Sequence, residues 1–133
     1  MSDTQDDCAE WVFPARPDSA RAARSAVRER LRGWGLDSAD DVAALLVSEL
    51  VTNALRYATA PIGVRLLRRP AGPVDVVLVE VSDPLPELPH ERRAHPEDEG
   101  GRGLHLVAST ARRWGIRPAA GGKTVWFELA VPR

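Results

Sequence analysis

The stretch SELVTNALRYA, Ser48–Ala58, has the apolar content of a packed helix yet sets Glu49 and Asn53 among Leu, Val and Ala. With Leu45, Leu46, Val47, Leu50, Val51, Ala54 and Leu55, the surrounding positions form an apolar wall broader than the single stripe of a surface helix. A helix patterned in this way is expected to be buried on more than one side. Glu49, Asn53 and Tyr57 recur every four residues and so share one row. A carboxylate among aliphatic neighbours loses hydration, at a cost on the order of several kcal/mol if nothing offsets it. Two readings are open. Either Glu49 pairs with an arginine and Asn53 bonds to backbone, or the row lines a ligand. In the second case Asn53 is a neutral oxygen ligand suited to Mg²⁺ and Glu49 is poised as a general base.

Working outward from this helix, Asp37 or Ser38 is expected to cap it. Asp40 and Asp41 lie in its first turn, where the helix dipole favours negative charge, and it runs to about Ala58 before Pro61. Upstream, Trp11, Val12 and Phe13 start a short strand. Asp18 or Ser19 then caps a helix with Ala20, Ala23, Val27, Leu31 and Trp34 on one side and arginines on the other, ended by Gly33 and Gly35. Downstream, Ile62–Arg68 alternates in part and Val74–Asp83 is a β-branched run suited to a central strand, with Gly72 and Pro73 turning between them. The segment PLPELPHERRAHPEDEGGRG has no periodicity and four prolines, so residues 84–99 read as a lid loop. From Gly103, Leu104, Val107, Ala108 and Ala111 follow helical spacing, and a hairpin turning near Gly121 and Gly122 closes the chain. The order β-α-α-β-β, lid, α-β-β predicts an α/β fold, a two-layer sandwich with helices on one face of a mixed, mostly antiparallel sheet.

Composition narrows the function classes. A chain of 133 residues with 44% apolar content fits one domain, expected over 11–133, which buries roughly 70% of its unfolded surface. Residues 1–10, MSDTQDDCAE, read as a flexible acidic tail, unlike the basic and then apolar start of a signal peptide. No apolar run approaches the ~20 residues that cross a bilayer, so the expected location is the cytoplasm, without membrane contact. Cys8 is the only cysteine, which excludes an internal disulfide and a thiolate metal cluster. The formal charge is -1, with Arg16, Arg21, Arg24, Arg28, Arg30 and Arg32 making the first third basic. No aromatic residues interleave with these arginines, which argues against direct nucleic-acid binding.

Two further clusters carry chemistry. In EGGRGL, Glu99–Leu104, glycines let backbone approach a ligand, and the first amides of the helix that follows point N–H groups at an anion. A Rossmann fingerprint fails because Leu106 stands at the third-glycine position. GGKT, Gly121–Thr124, is no P-loop, because Arg117 stands at the first glycine and the continuation VWFEL is a strand. Asp83, at the end of the long apolar strand, is either a solvated cap or an acceptor for an exocyclic amine. His90 and His95 with Glu91, Glu97 and Asp98 have irregular spacing and read as a solvated lid rather than a metal site.

The ordered set Glu49-x-x-x-Asn53, Asp83 after a β-rich strand, Gly101-x-Gly103 and Gly122-x-Thr124 before a terminal strand resembles the GHKL ATP-binding fold of histidine kinases and gyrase. The compact length and the string ELVTNALRYA resemble the anti-sigma factor serine kinases of bacterial partner switching. The likeness spans about Trp11 to Val131. It implies that Asn53 holds Mg²⁺ against the triphosphate of ATP and that Glu49 activates the attacking hydroxyl. It also implies that Asp83 binds the adenine amino group, that Gly101, Arg102 and Gly103 meet phosphate, and that Thr124 supports the adenine pocket. The implied partners are a STAS-domain anti-anti-sigma protein phosphorylated on serine and a sigma factor, with a homodimer as the implied assembly. This sequence departs from the family pattern in three ways. Pro84, Leu85 and Pro86 replace glycines after Asp83. Tyr57 stands where many members carry His. No phosphoacceptor-histidine helix is expected ahead of the core.

Overall fold

The computed structural model describes residues 7–83, 99–119 and 121–132, with the backbone alone described over 99–103. The elements follow in the order β1 (Cys8–Phe13), α1 (Ser19–Gly33), α2 (Asp40–Leu55), β2 (Ile62–Ala71), β3 (Val74–Asp83), α3 (Glu99–Thr110), β4 (Arg113–Ala119) and β5 (Gly122–Pro132). This is the expected succession, with a 3₁₀ turn at Asp37–Ala39 added ahead of α2. The five strands line up as β1-β2-β3-β5-β4. Every neighbouring pair is antiparallel, so the expected mixed, mostly antiparallel sheet is antiparallel throughout. The reason is topological. β2 and β3 form a hairpin, and so do β4 and β5, while β5 returns into the gap between β3 and β4. At the first hairpin Ala71 faces Val74, and Gly72 adopts φ +68 before Pro73, the sign combination of a type II′ turn.

All three helices pack on one face of the sheet. Alternate strand residues, among them Val64, Leu66, Val77, Val79, Val81, Val125, Phe127 and Leu129, point into this layer. They meet Ala23, Val27 and Leu31 of α1, spaced four apart, and Val107 of α3. α2 lies between the other two helices and against β2 and β3, which is why its buried arc is wide: Ala43, Ala44, Leu46, Val47, Leu50, Val51 and Ala54 are all sequestered. Each Val or Leu buried this fully contributes roughly 1.5–3 kcal/mol. The apolar wall has one gap, since Leu45 is 44% exposed and Val42 lies one turn before it on the same open ridge. On α3 the expected Ala108 is exposed, and Leu106 packs against the core beside Leu104 and Ala111.

Several boundaries differ from expectation. β1 begins at Cys8, because Cys8 and Ala9 pair with Leu67 and Leu66; these residues and Glu10 therefore belong to the sheet and not to a tail. Ahead of them Asp7 accepts a hydrogen bond from Arg68 Nη2 at 2.7 Å, and the Arg68 guanidinium lies 4.9 Å from the Trp34 ring centroid. Residues 1–6 of the expected tail lie outside the described residues. Neither Asp37 nor Ser38 caps α2, whose N-cap position is Ala39. Asp40 instead accepts a hydrogen bond from Arg32 Nε at 2.6 Å, tying the start of α2 to the end of α1. That bond holds the Asp40 carboxyl below its ordinary pKa against the opposing pull of desolvation. Asp18 makes no side-chain cap either, and the Ser19 hydroxyl donates to the Pro14 carbonyl at 2.6 Å. α3 starts at Glu99, so the EGGRG segment forms its first turn rather than a loop before it. The rest of the expected lid, residues 84–98, lies outside the described residues, including Pro84, Leu85, Pro86 and the His90 and His95 cluster.

Candidate functional site

The predicted residues converge through the order of the strands. α2 ends at Leu55 and the chain re-enters the sheet at Ile62, beside the last residues of β3, where Gly63 faces Ser82. β5 starts at the same edge, with Lys123 opposite Asp83. α3 belongs there too. Its C-terminal end leads into Arg112, whose amide donates to the Glu128 carbonyl at 2.8 Å toward the far end of β5. A helix of 12 residues spans about 18 Å, and α3 packs along α2, so its first turn lies back toward the Asp83 edge. One edge of the sheet thus gathers the C-terminal half of α2, the end of β3, the start of β5 and the first turn of α3.

All but one of the predicted residues lie on this edge. Glu49 and Asn53 are half-buried, Glu49 on the open ridge of Val42, Leu45 and Thr52 and Asn53 on the flank between that ridge and the sequestered arc. Asp83 is 2% exposed and faces the helix layer, as Val81 does two residues earlier. Gly101, Arg102 and Gly103 lie in the first turn of α3, where an α-helix leaves N–H groups without intrahelical acceptors and carries the positive end of its dipole. The side chain of Arg102 lies outside the described residues.

Thr124 goes elsewhere. Its hydroxyl lies 3.0 Å from that of Ser82, directly across the β3–β5 ladder, and strand alternation turns both to the face opposite Asp83. The residue that shares a face with Asp83 is Lys123, whose Nζ lies 3.8 Å from Asp83 Oδ2 with the lysine side chain 15% exposed. Sequence reading passed over Lys123. The signal that could have found it is the alternation of Val125, Phe127 and Leu129, which points Lys123 inward and Thr124 outward.

The outer face of the sheet has its own charge pattern. Glu80, nearly buried, accepts from Arg117 Nη2 at 2.6 Å and from Arg65 Nη1 at 3.5 Å, while Glu128 lies 3.8 Å from Arg113. Of the arginines expected on a solvated face of α1, Arg28 reaches Asp41 at 3.2 Å, so Arg28 and Arg32 both bridge to the start of α2. No group of three or more His, Cys, Asp or Glu side chains suited to a metal occurs among the described residues. No helix among them is long and apolar enough to cross a membrane.

The donor set on the helix-side edge suits a nucleotide with its cation. Asn53 and Glu49 offer hard oxygen ligands one helical turn apart, Asp83 offers a sequestered acceptor, and α3 offers amides to an anion. The model of the family described as histidine kinase-like ATPase domain matches residues 13–129, a span from the last residue of β1 to most of the way along β5. None of the curated proteins compared with the chain matches it. Fold and sequence therefore agree on an ATP-binding, kinase-like domain, and the chain belongs to the histidine kinase-like ATPase domain family.

Proposed function

We propose that this protein is an ATP-dependent serine protein kinase and anti-sigma regulatory factor, which phosphorylates a serine on a STAS-type anti-anti-sigma partner and docks a sigma factor. The observation that carries the reading is the placement of half-buried Glu49 and Asn53 at the same sheet edge as sequestered Asp83 and the first turn of α3. The string ELVTNALRYA, with its likeness to the anti-sigma kinases, supports the narrower assignment.

In this reading Asp83 accepts the N6–H of adenine, and the amides around Gly101 and Gly103 receive phosphate oxygens. Asn53 would hold Mg²⁺, which when bound neutralises phosphate charge. Glu49 takes the proton from the attacking serine hydroxyl, so the chain contributes positioning and electrostatics rather than a covalent intermediate. A second reading, an ATP-dependent protein-binding module with little phosphotransfer, is favoured by Pro84, Leu85 and Pro86, which stand where the family carries glycines.

Incubation with γ-labelled ATP, Mg²⁺ and candidate STAS proteins separates the two. Label on a partner serine in wild type that is lost in Glu49→Ala supports the kinase. Nucleotide-dependent complex formation without label supports the binding module. Absence of any nucleotide binding overturns both.

A further inference from the structure

Arg21, Arg24, Arg28 and Arg32 follow one another along α1 at steps of three and four residues, so they share one flank of that helix. The ion pairs of Arg32 with Asp40 at 2.6 Å and of Arg28 with Asp41 at 3.2 Å turn this flank toward α2. A short connection joins the two helices and they pack along each other, so they run antiparallel. Moving back along α1 from Arg28 therefore means moving forward along α2, past Leu45 toward Glu49 and Thr52. There the ion pairing stops. Among the described residues neither Arg21, exposed, nor Arg24, half-buried, has an acceptor. The ridge of α2 beside them carries Val42, 38% exposed, and Leu45, 44% exposed, two of the largest uncovered apolar side chains among the described residues.

We propose that this surface docks an acidic amphipathic helix of the protein whose serine is phosphorylated, with carboxylates one turn apart on Arg21 and Arg24 and aliphatic side chains over Val42 and Leu45. The inference rests on the kinase reading above and deepens it. Glu49 stands on the same ridge, so a helix docked there lies beside the carboxylate that takes the serine proton. The spacing matches as well: Arg21 and Arg24 are about 4.5 Å apart along α1, the rise between carboxylates three residues apart on a partner helix. A guanidinium can meet each carboxylate with two parallel hydrogen bonds. Other occupants fit this face less well. The same face of a second copy brings a like pair of cations. A lipid or nucleic-acid surface presses its phosphates against Asp41 and Glu49 too, whereas single carboxylates on a helix can be set on the arginines alone.

The test is fluorescence anisotropy of the full chain with two labelled peptides of about 14 residues, both with leucines at helical spacing, flanked in one by glutamates and in the other by lysines. Wild type is expected to bind the glutamate peptide at least about tenfold tighter than the lysine peptide. The double variant Arg21→Ala, Arg24→Ala removes no ion pair within the described chain; it is expected to bind both peptides within about twofold and ADP as wild type does, by calorimetry. Leu45→Asp is expected to weaken the glutamate peptide about tenfold or more. In the labelling assay above, the double variant should raise KM for the partner with kcat within about twofold, and a fall in kcat alone overturns the docking role. A preference that survives in the double variant, or a wild type that binds ADP but treats the peptides alike, overturns the inference and leaves the nucleotide reading standing. Wild type held by phosphatidylglycerol vesicles or duplex DNA more tightly than by the glutamate peptide, with that hold lost in the double variant, overturns it as well. A wild type that binds no ADP overturns the kinase reading and the inference with it.

Discussion

Replacing Thr124 with valine separates what resemblance implies for this residue from what the fold does with it. If Thr124 supported the base, Thr124→Val would weaken nucleotide binding. The structure bonds its hydroxyl to Ser82 at 3.0 Å on the face away from Asp83. Valine matches threonine in shape, so no cavity opens and the loss is one neutral hydrogen bond, about 0.5–1.5 kcal/mol. Ser82 is half-buried and can turn to water, which keeps the cost in the lower part of that range. For a domain of this size 1 kcal/mol moves Tm by roughly 3–5 °C, so a fall of about 2–5 °C is expected. Nucleotide Kd should change by less than about twofold. Asp83→Asn, which removes the charge from the sequestered acceptor, should raise Kd by about 10- to 100-fold, the scale of a hydrogen bond to a charged group. Calorimetric titration with ADP and a thermal melt on the same samples measure both quantities. If Thr124→Val raises Kd as much as Asp83→Asn while Tm stays unchanged, the assignment of faces is wrong.

Other perturbations test other parts of the structure. Asn53→Ala should remove most of the Mg²⁺-dependent gain in ATP affinity, on the order of tenfold or about 1.4 kcal/mol, with ATP binding in chelator unchanged; titration with and without the cation reads this directly. A Cβ added at Gly115 would lie 2.9 Å from Trp126 Cζ2 and Nε1, against a rigid indole. Gly115→Ala should therefore lose about 1 kcal/mol, the overpacking cost of roughly 1–3 kcal/mol less the 0.5–1 kcal/mol gained on replacing a strand glycine. A urea melt in which the variant matches or exceeds wild type refutes it. The folded pKa of Asp40 is held below the ordinary 3.8 first by its hydrogen bond from Arg32 and then by the charge of that arginine. The unfolded chain therefore binds this proton more tightly, and the contribution of the pair, full above the ordinary value, is lost as pH falls through the folded one. Denaturant melts from pH 6 down to pH 2 should show a shallower acid limb in Asp40→Asn than in wild type, and parallel limbs would contradict it.

Much of the fold was legible because it rests on local chemistry. The apolar repeat of Ala23, Val27 and Leu31, the β-branched run of Val74–Asp83, and the turns at Gly72 and Gly121 are short-range signals, and each became the expected element. Helix ends were harder to read. Asp37, Ser38 and Asp18 all had the chemistry of caps, but no side-chain cap closes α1 or α2, and an ion pair from Arg32 at the end of α1 to Asp40 ties down the start of α2 instead. Leu45 belonged to an apolar run by sequence and to an open ridge by structure, since no neighbouring described element covers that side of α2.

The sequence by itself determined which residue types the site has to work with: a carboxylate and an amide one turn apart, an acceptor at a strand end, glycines at a helix start. Tertiary structure alone decided who stands beside whom. Strand alternation was written in Val125, Phe127 and Leu129, but only the pairing of β3 with β5 placed Lys123 rather than Thr124 against Asp83. The physical reason is that a strand's side-chain period is two, so faces follow from local sequence, whereas register between strands distant in the chain follows from closing the whole sheet over one core.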